Sequence, residues 1–304
     1  TKGRLTARIN SSVLSLYDSR RYSAPKVNGE DSDWTSVDAD LKGKLNSIAN
    51  KGGNVRLLTY SLNSPSTLAA ISKFGETFNK EEGALNFKHV QYDAISYSAL
   101  RVAQANAFGV NAVPSYDFSK AEVIVSIAAD FLNSWLSSTL YAPDYAVLRG
   151  PERGKQSKHF QFESVLSLTG ANSDVRVKIK PSEEILVASS ILSYLNNQNS
   201  NFNLSEVTKA KIQSAVKSLL DNKGNSLVVA GSNDPNVQML VNKINYQLDN
   251  YGKTIDVDNE INLFNGNDEE VDSFQNQIRE MSQPGLTKRQ AADREHCSIP
   301  LSGF

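Results

Sequence analysis

The sequence predicts an α/β fold, doubly wound, with mostly parallel sheets and flanking helices. Three observations carry that expectation. Strand-like runs alternate with helix-like segments at roughly 30-residue spacing, the period of strand–helix–strand units. Several of the runs are apolar at nearly every position, as strands covered on both faces must be. The segments between them open on good capping residues. With 304 residues the chain has length for two medium lobes or one large one.

The first clear strand is 54–60 (NVRLLTY), expected to be buried. Ser64 and Pro65 then open a helix to about Phe78, the serine as cap and the proline at a position that needs no N–H. Residues 87–93 (FKHVQYD) form the next strand, 96–108 the next helix, and Gly109 stands where a left-handed C-cap is wanted. Residues 122–129 (EVIVSIAA) read as a strand buried on both faces, followed by a helix over 131–141. Short strands at 159–162 and 175–179 follow, then a helix from Ser182 as cap to about Asn196. After the polar linker 197–203, Ser205 caps a helix to Leu220. Residues 226–231 (SLVVAG) are a buried strand, Asp234 and Pro235 start a helix to about Asp249, and 254–257 is a last strand. Residues 265–272 are acidic and turn-rich, and 281–304 has no period. The expected organisation is a first α/β lobe over 1–196, a second α/β segment over 204–264, and an acidic linker with an irregular tail over 265–304.

Composition narrows the function. Lys plus Arg number 32 against 33 Asp plus Glu, so there is no basic stripe to displace counterions from nucleic acid. The longest apolar runs, such as 123–129, fall far short of the about 20 residues that cross a bilayer. No secretory signal is visible at the N-terminus. A single cysteine, Cys297, can form no internal disulfide and cannot hold an iron–sulfur cluster, which takes about four thiolates.

Motifs narrow it further. The dinucleotide fingerprint G-x-G-x-x-G is missing after the first strand, where Ser61 to Pro65 reads SLNSP. Residues 150–157 (GPERGKQS) resemble a P-loop, but three residues separate the glycines instead of four, and Gln156 stands where Ser or Thr would hold magnesium. The turn 231–235 (GSNDP) has two readings: amides free to meet an anion at a helix N-terminus, or a cap provided by Asp234. His89, His159 and His296 are far apart, with no helical partner at i+4, and make no zinc set. No G-x-S-x-G elbow occurs. Phe131, Leu132, Trp135, Leu136 and Tyr141 crowd one segment, either as the core face of a helix or as a surface for a partner. No catalytic, cofactor-binding or metal-binding residue is assigned in this chain.

One segment carries a resemblance. Residues 6–22 (TARINSSVLSLYDSRRY) resemble the stretch that follows the first cluster-binding region of bacterial molybdopterin oxidoreductases, typically Cys-x-Arg-Gly-Gln, an apolar run, and Leu-Tyr-Asp-Pro-x-Arg. Arg8, Leu16, Tyr17, Asp18 and Arg21 match; Thr6 stands in place of the last cluster cysteine, Ile9 of the glycine, and Asn10 of the glutamine. A threonine hydroxyl is hard and does not replace a thiolate on iron. Residues 108–118 (FGVNAVPSYDF), 128–132 (AADFL), 135–137 (WLS), 159–163 (HFQFE), 167–174 (SLTGANSD) and 179–182 (IKPS) are similar to one branch, the large iron–sulfur subunit of alternative complex III, and the resemblance runs over roughly 1–271.

The resemblance implies a molybdopterin-oxidoreductase-like region without its cofactor, within a bacterial respiratory quinol oxidoreductase. It implies a non-catalytic, structural role for this chain, with iron–sulfur clusters in the rest of the subunit. Its partners would be a multihaem cytochrome c with haem c and quinol-binding membrane subunits. The place implied is the periplasmic face of the inner membrane, peripherally. A second reading is a fragment of an active molybdopterin oxidoreductase whose ligands lie outside this chain. A third is a nucleotide-dependent enzyme, against which the missing glycine fingerprint weighs.

Overall fold

The computed structural model describes residues 4–79, 86–154 and 156–282. His296, Cys297 and most of the expected irregular tail lie outside the described residues. The chain divides into two compact units: Arg8–Ile95 with Asn265–Phe304, and Thr1–Ala7 with Ser96–Phe264. Residues 1–196 and 204–264 both give strands to one sheet of the second unit.

The chain opens with a short helix α1 (Ala7–Ser11) and a 3-10 turn (Ser12–Tyr17), neither of which buries a residue. Strands β1 (Lys26–Val27) and β2 (Glu30–Asp31) form a hairpin around Asn28 and Gly29. Those two residues have φ of 53° and 90°, the pair of left-handed conformations that a two-residue turn needs to match strand twist. Helix α2 (Trp34–Asn50) starts on Asp33, whose carboxylate accepts the Ser36 N–H. Strand β3 (Val55–Thr59) leads through α3 (Pro65–Glu76) to β4 (Phe87–Gln91), and the two strands pair in parallel. Ser64 caps α3 with Pro65 in its first turn, as the sequence requires. Asn79 holds the far edge of β4: its side chain bonds both the N–H and the C=O of Phe87.

The expectation that 54–60 is a buried strand is corrected. Each residue of β3 keeps some exposure, and Leu58 is 48 % exposed. The cause is the size of its sheet, which has two strands among the described residues and cannot be covered on both faces.

The Ser96–Phe264 unit holds helix α4 (Ser98–Phe108), ended by Gly109 at φ 73°, then β5 (Ser115–Tyr116), β6 (Val123–Ile127), α5 (Ser138–Val147) and β7 (Lys158–Glu163). There follow α6 (Leu168–Ala171), β8 (Val175–Lys178), α7 (Glu184–Leu195), α8 (Glu206–Leu220), β9 (Ser226–Ala230), α9 (Pro235–Gln247) and β10 (Ile255–Asp256). Strands β6 to β9 make one parallel sheet in the order β8-β7-β6-β9, while β5 and β10 pair as a separate antiparallel ribbon. Alternate residues feed two cores. Val125, Phe160, Phe162 and Val228 pack with α7, α8 and α9; Ile124 and Leu227 pack with Phe118, Phe131, Trp135 and Tyr141. Every residue of β6 and β9 is buried, as expected of strands covered on both faces.

Three sequence expectations are corrected. No helix runs over 131–141. The Asp130 carbonyl gathers the N–H groups of Asn133, Ser134 and Trp135 into turns, Leu136 takes φ 50°, and the helix begins only at Ser138. Ser182 is not a cap: Pro181–Glu183 is a 3-10 turn, and the Glu183 carboxylate reaches back to the Lys180 N–H. The acidic stretch after 265 is not turn-rich throughout, because Asp268–Ser282 is a helix, α10, of the other unit. Asp268, Glu269 and Glu270 sit in its first turn, where the N-terminal end of the helix dipole favours carboxylates, and the Asn267 side chain accepts the Glu269 N–H. Val271 is buried and anchors its inner face.

Candidate functional site

In an open parallel sheet the order of strands reverses once, and ligands settle outside the carboxyl ends at that reversal. Here the chain moves outward from β6 to β7 to β8 and then returns to the other side of β6 as β9, so the reversal lies between β6 and β9. The candidate site is built from the residues that follow those two strands, with the loop after β7 beside them.

The two strand ends meet backbone to backbone. The Gly231 N–H donates to the Ile127 carbonyl at 2.8 Å, and a Cβ on Gly231 would strike the Ala128 carbonyl oxygen. Ala128 is itself left-handed, at φ 55°, to make that approach. The amides at the start of α9 are committed as well. Asp234 accepts the Asn236 N–H at 2.8 Å, so of the two readings of 231–235 the structure holds the cap. Its neighbour Asn233 accepts the Ala99 N–H in the first turn of α4. Gln238, buried on α9, donates to the carbonyls of Ala230 and Ser232 at 3.0 and 2.6 Å.

Asp130 stitches the loops after β6 and β7 by accepting the Thr169 N–H at 3.1 Å and its hydroxyl at 2.7 Å. The Thr169 hydroxyl oxygen in turn accepts the Leu132 N–H. Strand β7 contributes a second polar system. Phe160 and Phe162 face one core, so alternation turns His159, Gln161 and Glu163 to the other face, where all three are buried. The Tyr145 hydroxyl lies 3.2 Å from His159 Nδ1, His159 Nε2 lies 3.3 Å from Gln161 Oε1, and Gln161 Nε2 donates to Glu163 at 3.1 Å. Glu163 ends the row on the Ser167 hydroxyl at 2.6 Å and the Arg176 guanidinium at 2.5 Å. A Cβ on Gly170 would strike the Glu163 carboxylate, so a larger residue there would displace that side chain from its hydrogen bonds.

Burial pushes the His159 imidazole down to about 4, and its hydrogen bond to Gln161 only partly offsets this, so the ring is neutral at pH 7. For Glu163 burial raises the pKa, but the hydrogen bonds from Ser167, Arg176 and Gln161 outweigh it and leave the carboxyl below its ordinary value. A neutral histidine and a fully bonded carboxylate make a rigid polar seam. Neither is left with a free lone pair directed at an open cleft.

The other expected features resolve individually. His89 lies on β4 with its Nε2 2.8 Å from the Thr59 hydroxyl, and its pKa is lowered chiefly by burial. His89 and His159 belong to different units. The segment 150–157 contains a 3-10 turn, Pro151–Arg153, and Gln156 donates to the Arg149 carbonyl. Among the described residues no group of three or more His, Cys, Asp or Glu is placed to hold a metal ion. Phe131, Trp135, Leu136 and Tyr141 are all buried in the aromatic core, with Leu132 packed against it. The surface reading of that stripe is therefore set aside. The alternation H-F-Q-F-E over 159–163 is the signal of this seam, which the short strand expected at 159–162 did not anticipate. Its partners Tyr145 and Arg176 come from other elements, and such contacts have no signature in local spacing.

A cavity of about 370 Å³ opens beside Tyr141, lined by Arg4, Asp117, Lys120, Asp144, Lys253 and Asp256 among others. Its charges neutralise one another in pairs, Arg4 with Asp144 at 2.8 Å and Lys120 with Asp117 at 2.9 Å.

A molybdopterin dinucleotide would need a place for its pyrophosphate, and the reversal point does not fit one. The strand ends close on each other there, and the Asp234 carboxylate already occupies the helix start that would attract an anion. No protein-family model matches the sequence, and no curated protein matches it. Among solved structures the chain is similar to acetylene hydratase from Pelobacter acetylenicus, with a TM-score of 0.50 at 12% identity over 80% of this chain. It spans 37% of the length of that structure. The fold of this chain is α/β with a parallel sheet and flanking helices, and it is similar to the fold of that acetylene hydratase.

Proposed function

We propose that this chain is a cofactor-free, molybdopterin-oxidoreductase-like module of a bacterial quinol oxidoreductase of the alternative complex III type. Its work is to hold cluster-bearing and haem-bearing subunits at fixed separations, so that electrons pass between centres that this chain does not carry. The observation that carries the reading is the closed reversal point, where Gly231 meets Ala128 and Asp234 caps α9. Thr6 in place of a cluster cysteine and the matching residues Arg8, Leu16, Tyr17, Asp18 and Arg21 support it. In this reading the partners are a multihaem cytochrome c and quinol-binding membrane subunits, on the periplasmic face of the inner membrane. Iron–sulfur clusters and haem c reside in the rest of the assembly.

The test is made on the assembly purified from membranes through a tag on this chain. The expected result is co-purification of haem c and iron, with molybdenum and tungsten at background. Stoichiometric molybdenum or tungsten would overturn the reading in favour of a working molybdopterin enzyme with ligands from outside this chain. Recovery of this chain without haem-bearing or membrane subunits would remove the scaffolding role.

A further inference from the structure

We propose that Asn28 is a site of spontaneous deamidation and isoaspartate formation, and that the chain's other Asn–Gly pair, Asn265–Gly266, is protected by the fold. The inference stands apart from the proposed function. In the reaction the Gly29 backbone nitrogen loses its proton and attacks the Asn28 side-chain carbonyl carbon. The new carbon–nitrogen bond closes a succinimide, and the side-chain nitrogen leaves as ammonia. Water then opens the ring at either carbonyl, giving aspartate or isoaspartate. The step needs a small following residue, a free N–H on it, and a backbone that can leave its turn.

Asn28–Gly29 meets all three conditions. Both residues are exposed, and no hydrogen bond is made by the Asn28 side chain or the Gly29 N–H among the described residues. The turn is held by a short ribbon: two residue pairs, Lys26 with Asp31 and Val27 with Glu30, one further rung from the Ser32 N–H to the Pro25 carbonyl, and an exposed Lys26–Asp31 ion pair, with no buried residue in either strand. A two-stranded ribbon of that size opens at little cost. Asn265–Gly266 meets only the first. The Gly266 N–H donates to Asp93 Oδ2 at 2.9 Å, so the attacking nitrogen is engaged. The Asn265 side chain donates to Asn63 Oδ1 at 2.8 Å, and the Asn265 N–H donates to the Ser61 hydroxyl at 2.5 Å. A Cβ on Gly266 would lie 2.7 Å from the Asp93 carboxylate, a measure of how tightly this turn is packed.

Conversion at Asn28 adds a negative charge beside Glu30 and Asp31. The isoaspartate form also inserts an extra backbone carbon into the turn, which breaks the pairing of β1 with β2. The experiment is peptide mass spectrometry of the whole chain aged in warm, mildly alkaline buffer, with isoaspartate read by enzymatic methyl transfer. Asn28 should convert, faster at higher pH, with isoaspartate in excess, while Asn265 stays an amide over the same interval. In chain unfolded by urea the two sites should convert at comparable rates, and Gly29→Ala should slow Asn28 in both states. Asp93→Ala should raise conversion at Asn265; should that variant fail to fold, the comparison of folded with urea-unfolded chain still decides. Equal rates at the two sites in the folded chain, or an Asn28 that survives folded while converting unfolded, would overturn the proposal.

Discussion

His159 has no exposed surface, and it is neutral because the loss of water around a charged ring outweighs the hydrogen bond to Gln161 and the attraction of Asp174 and Glu163. Its titration has a consequence for stability. The unfolded ring titrates near 6.5 and the folded ring near 4, so between those values the unfolded state binds the proton and the folded state does not. Stability should therefore fall as the pH drops through that window, by on the order of 3 kcal/mol, and level off below it. Glu163 acts in the same direction but lower on the scale: its folded pKa is depressed, so its contribution is lost as pH falls below the ordinary carboxylate value. Urea unfolding at a series of pH values should show the first slope in the native chain and not in His159→Gln. A His159→Gln variant with an unchanged slope would assign the pH dependence to other groups.

Strand β6 pairs with both β7 and β9 and is buried at every position. Val125→Pro removes a backbone donor from its centre and should abolish the cooperative melting of that unit. Retention of a native transition by calorimetry would count against the topology. The turn segment after β6 gives a second prediction. Trp135 is 3 % exposed, with ring centroids 5.3 Å from Tyr116 and 5.8 Å from Tyr141. Trp135→Ala should cost about 3–5 kcal/mol in chemical denaturation, the cost of a large aromatic removed from a core. A near-wild-type midpoint would show that the surrounding aromatics tolerate the void. These elements also mark how far local sequence speaks. Caps and buried strands were legible because Ser64, Ser205, Asp234 and the apolar runs of β6 and β9 act on their own neighbours. The missing helix at 131–141 was not legible: its apolar spacing suits a helix, but Asp130 is held by Thr169, far along the chain, and bends the segment into turns. The reversed character of 265–282 was hidden by its acidity, which reads as solvated loop until the dipole of a helix start explains it. Of the candidate site, the Asp234 cap was one of two open readings of its turn, while the closure of Gly231 onto Ala128 depends on strand order and was not foreseen.

At the scale of the molecule, burial is uneven. Two large apolar clusters lie in the Ser96–Phe264 unit, whereas the β3–β4 sheet of the other unit keeps exposure on most of its residues. Hydrogen exchange followed by mass spectrometry should find the slowest amides in β6, β7 and β9, with β3 and β4 exchanging earlier. Equal protection in both sheets would mean that stability is not set by this burial. The strand order has a further result, in time instead of space. Val123 pairs with Ser226, and 226 − 123 = 103 residues separate them. During synthesis β6 therefore emerges long before the strand that covers its second edge, and a row of unpaired N–H and C=O groups beside apolar side chains waits open. Contacts of such long range form slowly, and an unpaired edge on an apolar strand is a template for other chains. A chain released before β9 is made should aggregate, so the safety of this fold during its production depends on whatever shields β6 until residue 226 arrives.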